Sequence, residues 1–289
     1  MLRTRIRWLI AAVVLLATLA TTLLAGPAIH STLAASNRPQ AYLALGDSVA
    51  FGFNPTLNFS NPNNFIGYPT PVAAAIKETL TNAACPGETS SHFVVINGSD
   101  NGCGNYRSQY PLHVSYSSAT ETQLEFTDEF LQSNPKTLVV SINIGANDLF
   151  VLQNKCLGSI SCIVAGLPAM LATLSANLDT IYGHIRNLDG YKHKLVALTY
   201  YSLNYSDPVT TGVISQVNQV VAARTLAWKG IVADGFGAFE AASTANGGDT
   251  CAAGLRIVVV SSPLTCDIHP SSAGRDLLAQ AIVNALRPD

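Results

Sequence analysis

Charged residues are scarce in this chain of 289 residues, since Asp, Glu, Lys and Arg together make up only 12% of it. The formal net charge is −2, which does not support a surface that binds nucleic acid. So low a charge density also gives little electrostatic steering of ionic partners. The composition therefore excludes nucleic acid as an expected partner.

Several motifs that would indicate a cofactor are missing. Neither G-x-x-x-x-G-K-[S/T] nor G-x-G-x-x-G follows any strand-like run, which argues against a nucleotide-binding protein. The chain has no C-x-x-C pair, the usual sign of zinc or redox chemistry. The G-x-S-x-G nucleophile turn is absent too, because Ala50 occupies its second glycine position. We therefore expect no organic cofactor and no metal.

The cysteines favour disulfides. Six are present, an even number, and they lie along the chain as three local couples. We expect the pairs Cys85–Cys103, Cys156–Cys162 and Cys251–Cys266, each closing a long loop, although six cysteines permit other pairings. Free buried thiols in a cytosolic protein are the alternative, and the N-terminal segment argues against it.

Residues 1–35 have the layout of a secretory signal. Arg3, Arg5 and Arg7 precede an uncharged apolar stretch from Trp8 to about Ala25, and small residues follow. The stretch is also about as long as a membrane span, so an uncleaved N-terminal anchor, with membrane association through it, is the alternative. Either way we expect a secreted or cell-surface protein. Loss of the three arginines would change the formal charge from −2 to −5.

Residues 36–289 predict one large soluble domain, because no later uninterrupted apolar run of membrane-spanning length follows. Strand-like runs alternate with helical patterns, which predicts an α/β fold of three α/β/α layers around a mostly parallel sheet. The strand candidates are Ala41–Leu45, Thr137–Ile144, Lys194–Tyr200 and Ile231–Ala233. The helix candidates are Pro69–Leu80, Glu121–Gln132, Leu167–Leu188, about Val213–Trp228 and Ser271–Leu286. Three long irregular stretches, Asn54–Tyr68, Gly87–Ala119 and Ala242–Asp267, are expected to build the walls of a site.

Candidate catalytic residues follow the strand candidates. Ser48 comes directly after Ala41–Leu45 in Gly46-Asp47-Ser48, where a tight turn would hold a nucleophile out of the sheet. His269, just before the last helix, is the candidate base. Their separation in sequence is no obstacle, since a parallel sheet brings its strand ends together at one edge. Taken alone, Gly-Asp-Ser is a common loop tripeptide.

Two further residues could stabilise an oxyanion. Asn147, in the Gly-Ala-Asn-Asp turn after Thr137–Ile144, can aim its side-chain amide at a developing negative charge. Gly87 has no side chain, so its backbone N–H can approach a substrate closely. Each would be an ordinary turn residue if it stood alone.

Together these elements resemble the SGNH or GDSL hydrolase family, and most of all its secreted bacterial lipase and esterase branch with three disulfides. The match in order and spacing runs from about Ala41 to Leu286. The resemblance implies a flavodoxin-like sheet of about five strands and an ester hydrolase that forms an acyl-serine intermediate. It implies that Ser48 is the nucleophile and His269 the base. The Ser48 N–H, the Gly87 N–H and the Asn147 amide would form the oxyanion hole.

One position departs from the family pattern. The family usually has its aspartate three residues before the histidine, but here that residue is Cys266, and Asp267 lies only two before. Two residues on a turn can point in different directions, which puts the role of Asp267 in doubt. We therefore consider the hypothesis that the Cys266 backbone carbonyl, held by the Cys251–Cys266 disulfide, orients His269 in a catalytic dyad.

The expected substrate is a small-molecule or lipid ester, hydrolysed by a monomer. Aromatic residues soon after the nucleophile, Phe51, Phe53, Phe65 and Tyr68, are candidates for the wall of an acyl pocket, although such residues are often core. Two alternatives remain open. The same site could serve a carbohydrate O-acetyl esterase, or the chain could be a surface binding module with vestigial catalytic residues.

Overall fold

The computed structural model describes residues 40–287, so the expected leader, residues 1–35, lies outside the described residues. Five parallel strands form one sheet in the order β2-β1-β3-β4-β5. They are β1 (Ala41–Gly46), β2 (Thr79–Asn82), β3 (Thr137–Asn143), β4 (Lys194–Leu198) and β5 (Ile231–Ala233). The central strands are almost continuous runs of buried apolar residues, as a sheet covered on both faces requires.

Ten α-helices are present in the described residues. They are α1 (Ser48–Phe51), α2 (Pro69–Ile76), α3 (Ser90–Val94), α4 (Cys103–Gln109), α5 (Gln123–Ser133), α6 (Ala146–Lys155), α7 (Ile160–Gly183), α8 (Pro208–Ala227), α9 (Gly235–Ser243) and α10 (Ser272–Leu286). Helices α2, α9 and α10 pack together, and α3, α6, α7 and α8 form a second group. The expected three-layer α/β/α fold is confirmed.

The sheet register sets the position of the two candidate turns. Gly46 at the end of β1 pairs with Asn143 at the end of β3. Both strands run in the same direction, so the turns that follow them leave the same edge of the sheet. The Gly46-Asp47-Ser48 turn and the Gly145-Ala146-Asn147 turn are therefore neighbours.

Three helices have a boundary that differs clearly from the sequence expectation, and one of them, α8, begins at Pro208 rather than about Val213. The expected helix Pro69–Leu80 ends at Ile76, because Lys77 adopts a left-handed conformation (φ 61°) that caps it. Strand β2 then begins at Thr79, inside the range expected to be helical. Helix α7 begins at Ile160 rather than Leu167, so Pro168 lies in its third turn and leaves the carbonyl of Val164 without its usual helical hydrogen bond.

Regular structure also occurs in the stretches expected to be irregular. Gly87–Ala119 contains α3 and α4. Ala242–Asp267 contains most of an antiparallel hairpin, β6 (Arg256–Ser261) and β7 (Leu264–Pro270). Three consecutive valines of β6 are exposed although adjacent strand residues face opposite sides, so the hairpin is exposed on both faces. Alternation of polar and apolar residues could not have revealed it.

Each of the three disulfides is present with the expected pairing. Cys85–Cys103 joins the Gly87 loop to α4, and Cys156–Cys162 closes the loop between α6 and α7. Cys251–Cys266 ties β7 to the segment before the hairpin. These bonds hold three loops at the same edge of the sheet as the candidate turns.

Among the described residues, one helix is long and apolar enough to cross a membrane by length and composition alone: α7 together with the π-helical turn that continues it, Ile160–Asn187. It was not singled out in the sequence, because Ser, Thr and Asn interrupt its apolar residues. One side of it, including Leu167, Leu174 and Leu178, is buried in the protein core. The core helix of a soluble protein can meet the same criterion.

Candidate active site

The turn after β1 holds Ser48 at the first position of α1. Gly46 has φ 126°, and a Cβ atom there would lie 2.1 Å from the carbonyl oxygen of Asn143, so only glycine fits. The Asp47 N–H donates to that same carbonyl at 3.1 Å. The Asp47 carboxylate caps α1 by accepting from the Val49 N–H at 2.9 Å. Ser48 is thereby fixed at a helix N-terminus, where its own N–H has no partner within the helix.

Gln123 supports this turn from behind. Its side-chain carbonyl accepts from the Gly46 N–H at 2.5 Å, and its amide donates to the Gly46 carbonyl at 3.1 Å. The same amide donates to Glu88 at 3.1 Å. Gln123 is buried at the start of α5. Sequence reasoning missed it, since nothing near Gln123 in the chain points to the distant turn.

The contacts of His269 differ from those that the dyad hypothesis expects. The Asp267 carboxylate, rather than the Cys266 carbonyl, contacts His269 Nδ1, and it also accepts from the His269 backbone N–H at 3.0 Å. Both residues lie on strand β7, not on a turn. Residues two apart on a strand face the same side, so the unusual spacing brings the carboxylate to the imidazole.

The electrostatics of this pair suit a base and its partner. Partial burial would raise the pKa of Asp267, but the hydrogen bond from His269 and the charge of that ring outweigh it, so the pKa is lowered. Asp267 is therefore ionised at neutral pH and can stabilise a protonated imidazole. With Nδ1 held by Asp267, Nε2 is the ring nitrogen left for chemistry. The Phe53 ring lies 5.0 Å from the His269 ring, centroid to centroid.

Asn147 contacts Asp47 behind the nucleophile. It lies in the first turn of α6, and its amide donates to the second Asp47 carboxylate oxygen at 3.3 Å. That oxygen also accepts from the Tyr200 hydroxyl at 2.5 Å. One amide hydrogen of Asn147 remains for another acceptor, since the group carries two. The turns after β1 and β3 are thus joined by a buried carboxylate.

Burial has the largest effect on the pKa of Asp47. The loss of water around its carboxylate raises its pKa to about 6, against the opposing effect of the hydrogen bonds from Tyr200 and Val49 and the charge of His269. Asp47 is 1% exposed. The site therefore contains a carboxylate that changes charge near neutral pH without itself being a candidate nucleophile or base.

Asn101 links Gly87 to the site. Gly87 has φ 85°, and a Cβ atom there would lie 2.6 Å from the Asn101 carbonyl oxygen. The Asn101 N–H donates to the Gly87 carbonyl at 3.2 Å, while its side-chain amide donates to Asn147 Oδ1 at 2.7 Å. The Gly87 N–H makes no hydrogen bond within residues 40–287. Asn101 thus joins the two expected oxyanion donors, and its place in an irregular stretch hid it from sequence reasoning.

Asp148 makes a second link between these loops. Its carboxylate accepts from the backbone N–H of Ser90 at 2.9 Å and from the Ser90 hydroxyl at 2.5 Å. Burial raises the pKa of Asp148 against these two hydrogen bonds. Helix α3, which follows the Gly87 loop, is therefore fixed to α6, which carries Asn147.

Ser48 and His269 line one cavity of about 420 Å³, and Asp47 and Asn147 also form part of its wall. The rest of the wall is largely aliphatic and comes from α6, α7, α8, the hairpin and the loop between β4 and α8. These side chains are Leu149, Ile160, Ile163, Val164, Leu203, Val209, Val213, Ile214 and Ile268. Gly87 is not among the lining residues. The Ser48 hydroxyl makes no hydrogen bond within residues 40–287, and catalytic hydrogen bonds often form only with substrate bound.

The expected aromatic wall lies elsewhere. Phe51, Phe65 and Tyr68 are buried in the core, and Phe53 packs with Phe65 at 6.0 Å between ring centroids. None of the four lines the cavity. Helix α1 carries the chain away from the cavity after Val49, which still lines it, so the aromatic residues that follow pack behind the nucleophile.

Cys85, Glu88 and Cys103 offer ligand atoms within 4.8 Å of one another. Both sulfurs, however, are joined in the Cys85–Cys103 disulfide, and a disulfide has no thiolate to offer a metal. This cluster therefore does not fit a metal ion.

A family model described as "GDSL-like Lipase/Acylhydrolase family" matches residues 44–277 of this chain. No curated protein matches it in sequence. The matched range begins inside β1 and ends inside α10, so it includes every candidate site residue.

Solved structures share the fold at low sequence identity. An acetylxylan esterase from Geobacillus stearothermophilus is 16% identical with a TM-score of 0.53, covering 87% of this chain and 96% of that one. Phospholipase A1 from Streptomyces albidoflavus is 21% identical with a TM-score of 0.53, covering 86% and 99%. An extracellular lipase from Streptomyces rimosus is 19% identical with a TM-score of 0.53, covering 85% and 99%.

Proposed function

The chain belongs to the GDSL-like lipase/acylhydrolase family, and on that premise we propose that it is an extracytoplasmic carboxylic ester hydrolase that forms an acyl-serine intermediate. The observation that carries the proposal is one cavity lined by both Ser48 and His269, with the Asp267 carboxylate on the far nitrogen of the histidine. A vestigial binding module would have no need of this arrangement.

The chemistry follows from the positions of the three side chains. His269 Nε2 takes the proton of the Ser48 hydroxyl as its oxygen attacks the ester carbonyl. Asp267 stabilises the imidazolium that forms. His269 then protonates the leaving alcohol, and water repeats the sequence to release the acid and restore the Ser48 hydroxyl. These steps need no metal or organic cofactor.

Three donors would stabilise the tetrahedral oxyanion: the Ser48 N–H, the Asn147 amide and the Gly87 N–H. The Ser48 N–H lies at a helix N-terminus, which favours negative charge. Asn147 lines the cavity, and Gly87 is joined to it through Asn101. The Gly87 N–H makes no hydrogen bond within residues 40–287, so it remains available as the third donor.

The cavity supports an apolar acyl group longer than acetyl. Its volume of about 420 Å³ falls in the usual range of about 300–1,000 Å³ for small-molecule sites. Its wall is mostly aliphatic, and burial of each methylene of an acyl chain in such a wall contributes about 0.8 kcal/mol. A carbohydrate O-acetyl esterase, the alternative, would leave most of this wall unused.

The extracytoplasmic location is supported by the cysteines. No free cysteine is found within residues 40–287, since all six form disulfides. Such bonds persist in oxidising compartments outside the cytoplasm. We further propose that the protein acts as a monomer on a small-molecule or lipid ester. Separation of cells into cytoplasmic, membrane and secreted fractions would test the location.

Hydrolysis of p-nitrophenyl esters from acetate to palmitate, with Ser48→Ala as the matched control, tests the activity. We expect Ser48→Ala to lose essentially all activity, and the parent to prefer acyl chains longer than acetyl. A preference for acetate would support the carbohydrate esterase instead. Activity that survives in Ser48→Ala, or no hydrolysis of any ester by folded protein, would contradict the proposal.

A further inference from the structure

Four exposed apolar side chains line the cavity, and a fifth lies in the disulfide-closed loop three residues before one of them; we term these five side chains the mouth rim. They are Leu157, Ile160, Val164, Val209 and Ile268, and all but Leu157 line the cavity itself. Large apolar side chains scattered singly over a surface need no explanation, but a cluster around a ligand site does.

Leu157 is the most exposed large apolar residue of the rim, with 94% of its surface accessible. It lies in the loop closed by Cys156–Cys162 and has φ 51°, a left-handed conformation that a leucine rarely adopts. The backbone hydrogen bond from its N–H to the Asn154 carbonyl, 3.1 Å, fixes this turn. A disulfide-closed loop thus holds an aliphatic side chain in water, at a cost in backbone strain that core packing does not offset.

The surface next to the rim carries almost no charge. From Leu157 to Leu178 the chain has no Asp, Glu, Lys, Arg or His, although much of α7 is exposed. The solvent face of a helix in a soluble protein is normally charged or polar. Lys155 before this run and Asp207 just before α8 bring one charge of each sign, and the Asp267 carboxylate, next to Ile268, is held against His269. The rim therefore suits an apolar surface that has no net charge.

Continuity with the cavity identifies the kind of partner. A second copy of the chain seated on the rim would cover the opening through which substrate must enter. A lipid layer would not, because its acyl chains are themselves what an aliphatic cavity accepts. An acyl chain could pass from the layer into the cavity along Ile160 and Val209 without crossing water.

We propose that the protein docks through the mouth rim onto the surface of a zwitterionic phospholipid layer, with Leu157 inserted among the acyl chains. The choice of a lipid rests on the proposed ester hydrolase function, because the argument for a lipid layer assumes that the cavity binds the acyl chain. Docking by apolar contact is insensitive to salt, whereas attraction to anionic lipids is screened by it.

Flotation with phosphatidylcholine vesicles tests the docking, with Ser48→Ala as the parent so that no lipid is hydrolysed. Leu157→Glu in this parent should partition about tenfold or more weakly, because a carboxylate replaces the inserted side chain. Leu226→Glu is the matched control, an exposed leucine near the other end of α8. It lies about 25 Å along the helix from Val209 and should bind like the parent.

The outcomes separate the two proposals. Binding by the parent in high salt, its loss in Leu157→Glu and its retention in Leu226→Glu would support docking. No binding by the parent, equal binding by both glutamate variants, or self-association that Leu157→Glu abolishes would overturn it. Hydrolysis of a soluble short-chain ester by Leu157→Glu made with Ser48 intact should be unchanged. That measurement depends on the ester hydrolase proposal alone, and it also shows that the variant folds.

Discussion

Asp267 accepts two hydrogen bonds from His269, one from the backbone N–H and one from Nδ1. The two residues lie two apart on β7, so the strand itself sets the distance between the carboxylate and the ring. A carboxylate in this position keeps the imidazole in the tautomer whose Nε2 can accept a proton.

We therefore expect Asp267→Asn to lower kcat for ester hydrolysis by about 10³–10⁴, the cost of losing a triad aspartate. Thermal stability should change far less. Asp276→Asn, at an exposed position of α10, is the control and should leave kcat unchanged. A loss below about tenfold in Asp267→Asn would return the Cys266 carbonyl to consideration.

The contrast between Ser48 and Asp267 explains which parts of the site the sequence could predict. Ser48 and Asn147 follow buried apolar strands, and a parallel sheet places every such turn at one edge, so local pattern was enough to predict that they lie together, while their roles came from the family resemblance. Asp267 required knowledge that β7 is extended. That strand is exposed and lacks the alternation that marks half-buried strands, so its conformation depends on its pairing with β6.

Residues that act through long-range contacts could not be predicted either, because their role depends on tertiary contacts rather than on local sequence. Gln123 and Asn101 each contact a turn far away in the chain. The polar residues around them are those of any loop or helix start. The acyl cavity was also misplaced, because proximity in sequence to Ser48 suggested Phe51 and Phe53, while the direction of α1 decides which residues face the cavity.

Asn101 should position the oxyanion donors. Asn101→Ala removes the hydrogen bond to Asn147 Oδ1, and we expect kcat to fall about tenfold with little change in KM, since the contact acts on transition-state stabilisation. Asn147→Ala, which removes a donor outright, should cost about 10²–10³. Asn105→Ala, on the exposed face of α4, is the control. Equal losses in Asn101→Ala and Asn105→Ala would show that Asn101 acts only on folding.

Asp47 predicts a pH dependence of stability. Its pKa is raised from 3.8 to about 6 in the folded protein, so the folded state binds the proton more tightly than the unfolded state. The raised pKa adds up to about 3 kcal/mol to the free energy of unfolding. This contribution is fully present below about pH 4 and is lost as the pH rises through 6. The free energy of unfolding of Asp47→Asn, relative to the parent, should therefore increase between pH 4 and 7.

Urea denaturation of both proteins across this pH range would measure the difference. The subtraction removes the effects of other buried carboxyls such as Glu88 and Asp148. Asp47→Asn should also lower kcat. The Asp47 carboxylate now accepts a hydrogen bond from the Asn147 side-chain amide, and in the variant an NH₂ group would face that donor instead. A pH-independent difference in unfolding free energy would contradict the raised pKa.

Val213 on α8 lines the acyl cavity, and a larger side chain there should shorten the preferred acyl chain. We expect Val213→Phe to lower kcat/KM for long-chain p-nitrophenyl esters about tenfold or more, while acetate hydrolysis is retained. Val220→Phe, two turns further along the helix and outside the cavity, is the matched control. An unchanged chain-length profile in Val213→Phe would place the acyl chain elsewhere.

The Cys251–Cys266 disulfide should matter more for catalysis than Cys156–Cys162. It closes a loop of 15 residues and ends one residue before Asp267, so it fixes the strand that carries Asp267 and His269, the proposed catalytic pair. Replacement of both cysteines by serine should lower the free energy of unfolding by about 3 kcal/mol and also reduce kcat on soluble esters.

The Cys156–Cys162 disulfide closes a loop of only 6 residues, which holds Leu157 and neither Asp267 nor His269. The effect of replacing these two cysteines by serine should therefore differ. That replacement should leave the rate on soluble short-chain esters nearly unchanged but weaken binding to phosphatidylcholine vesicles. If the two double variants lost soluble-ester activity equally, the disulfides would serve stability alone, and the separate roles assigned to the two loops would be wrong.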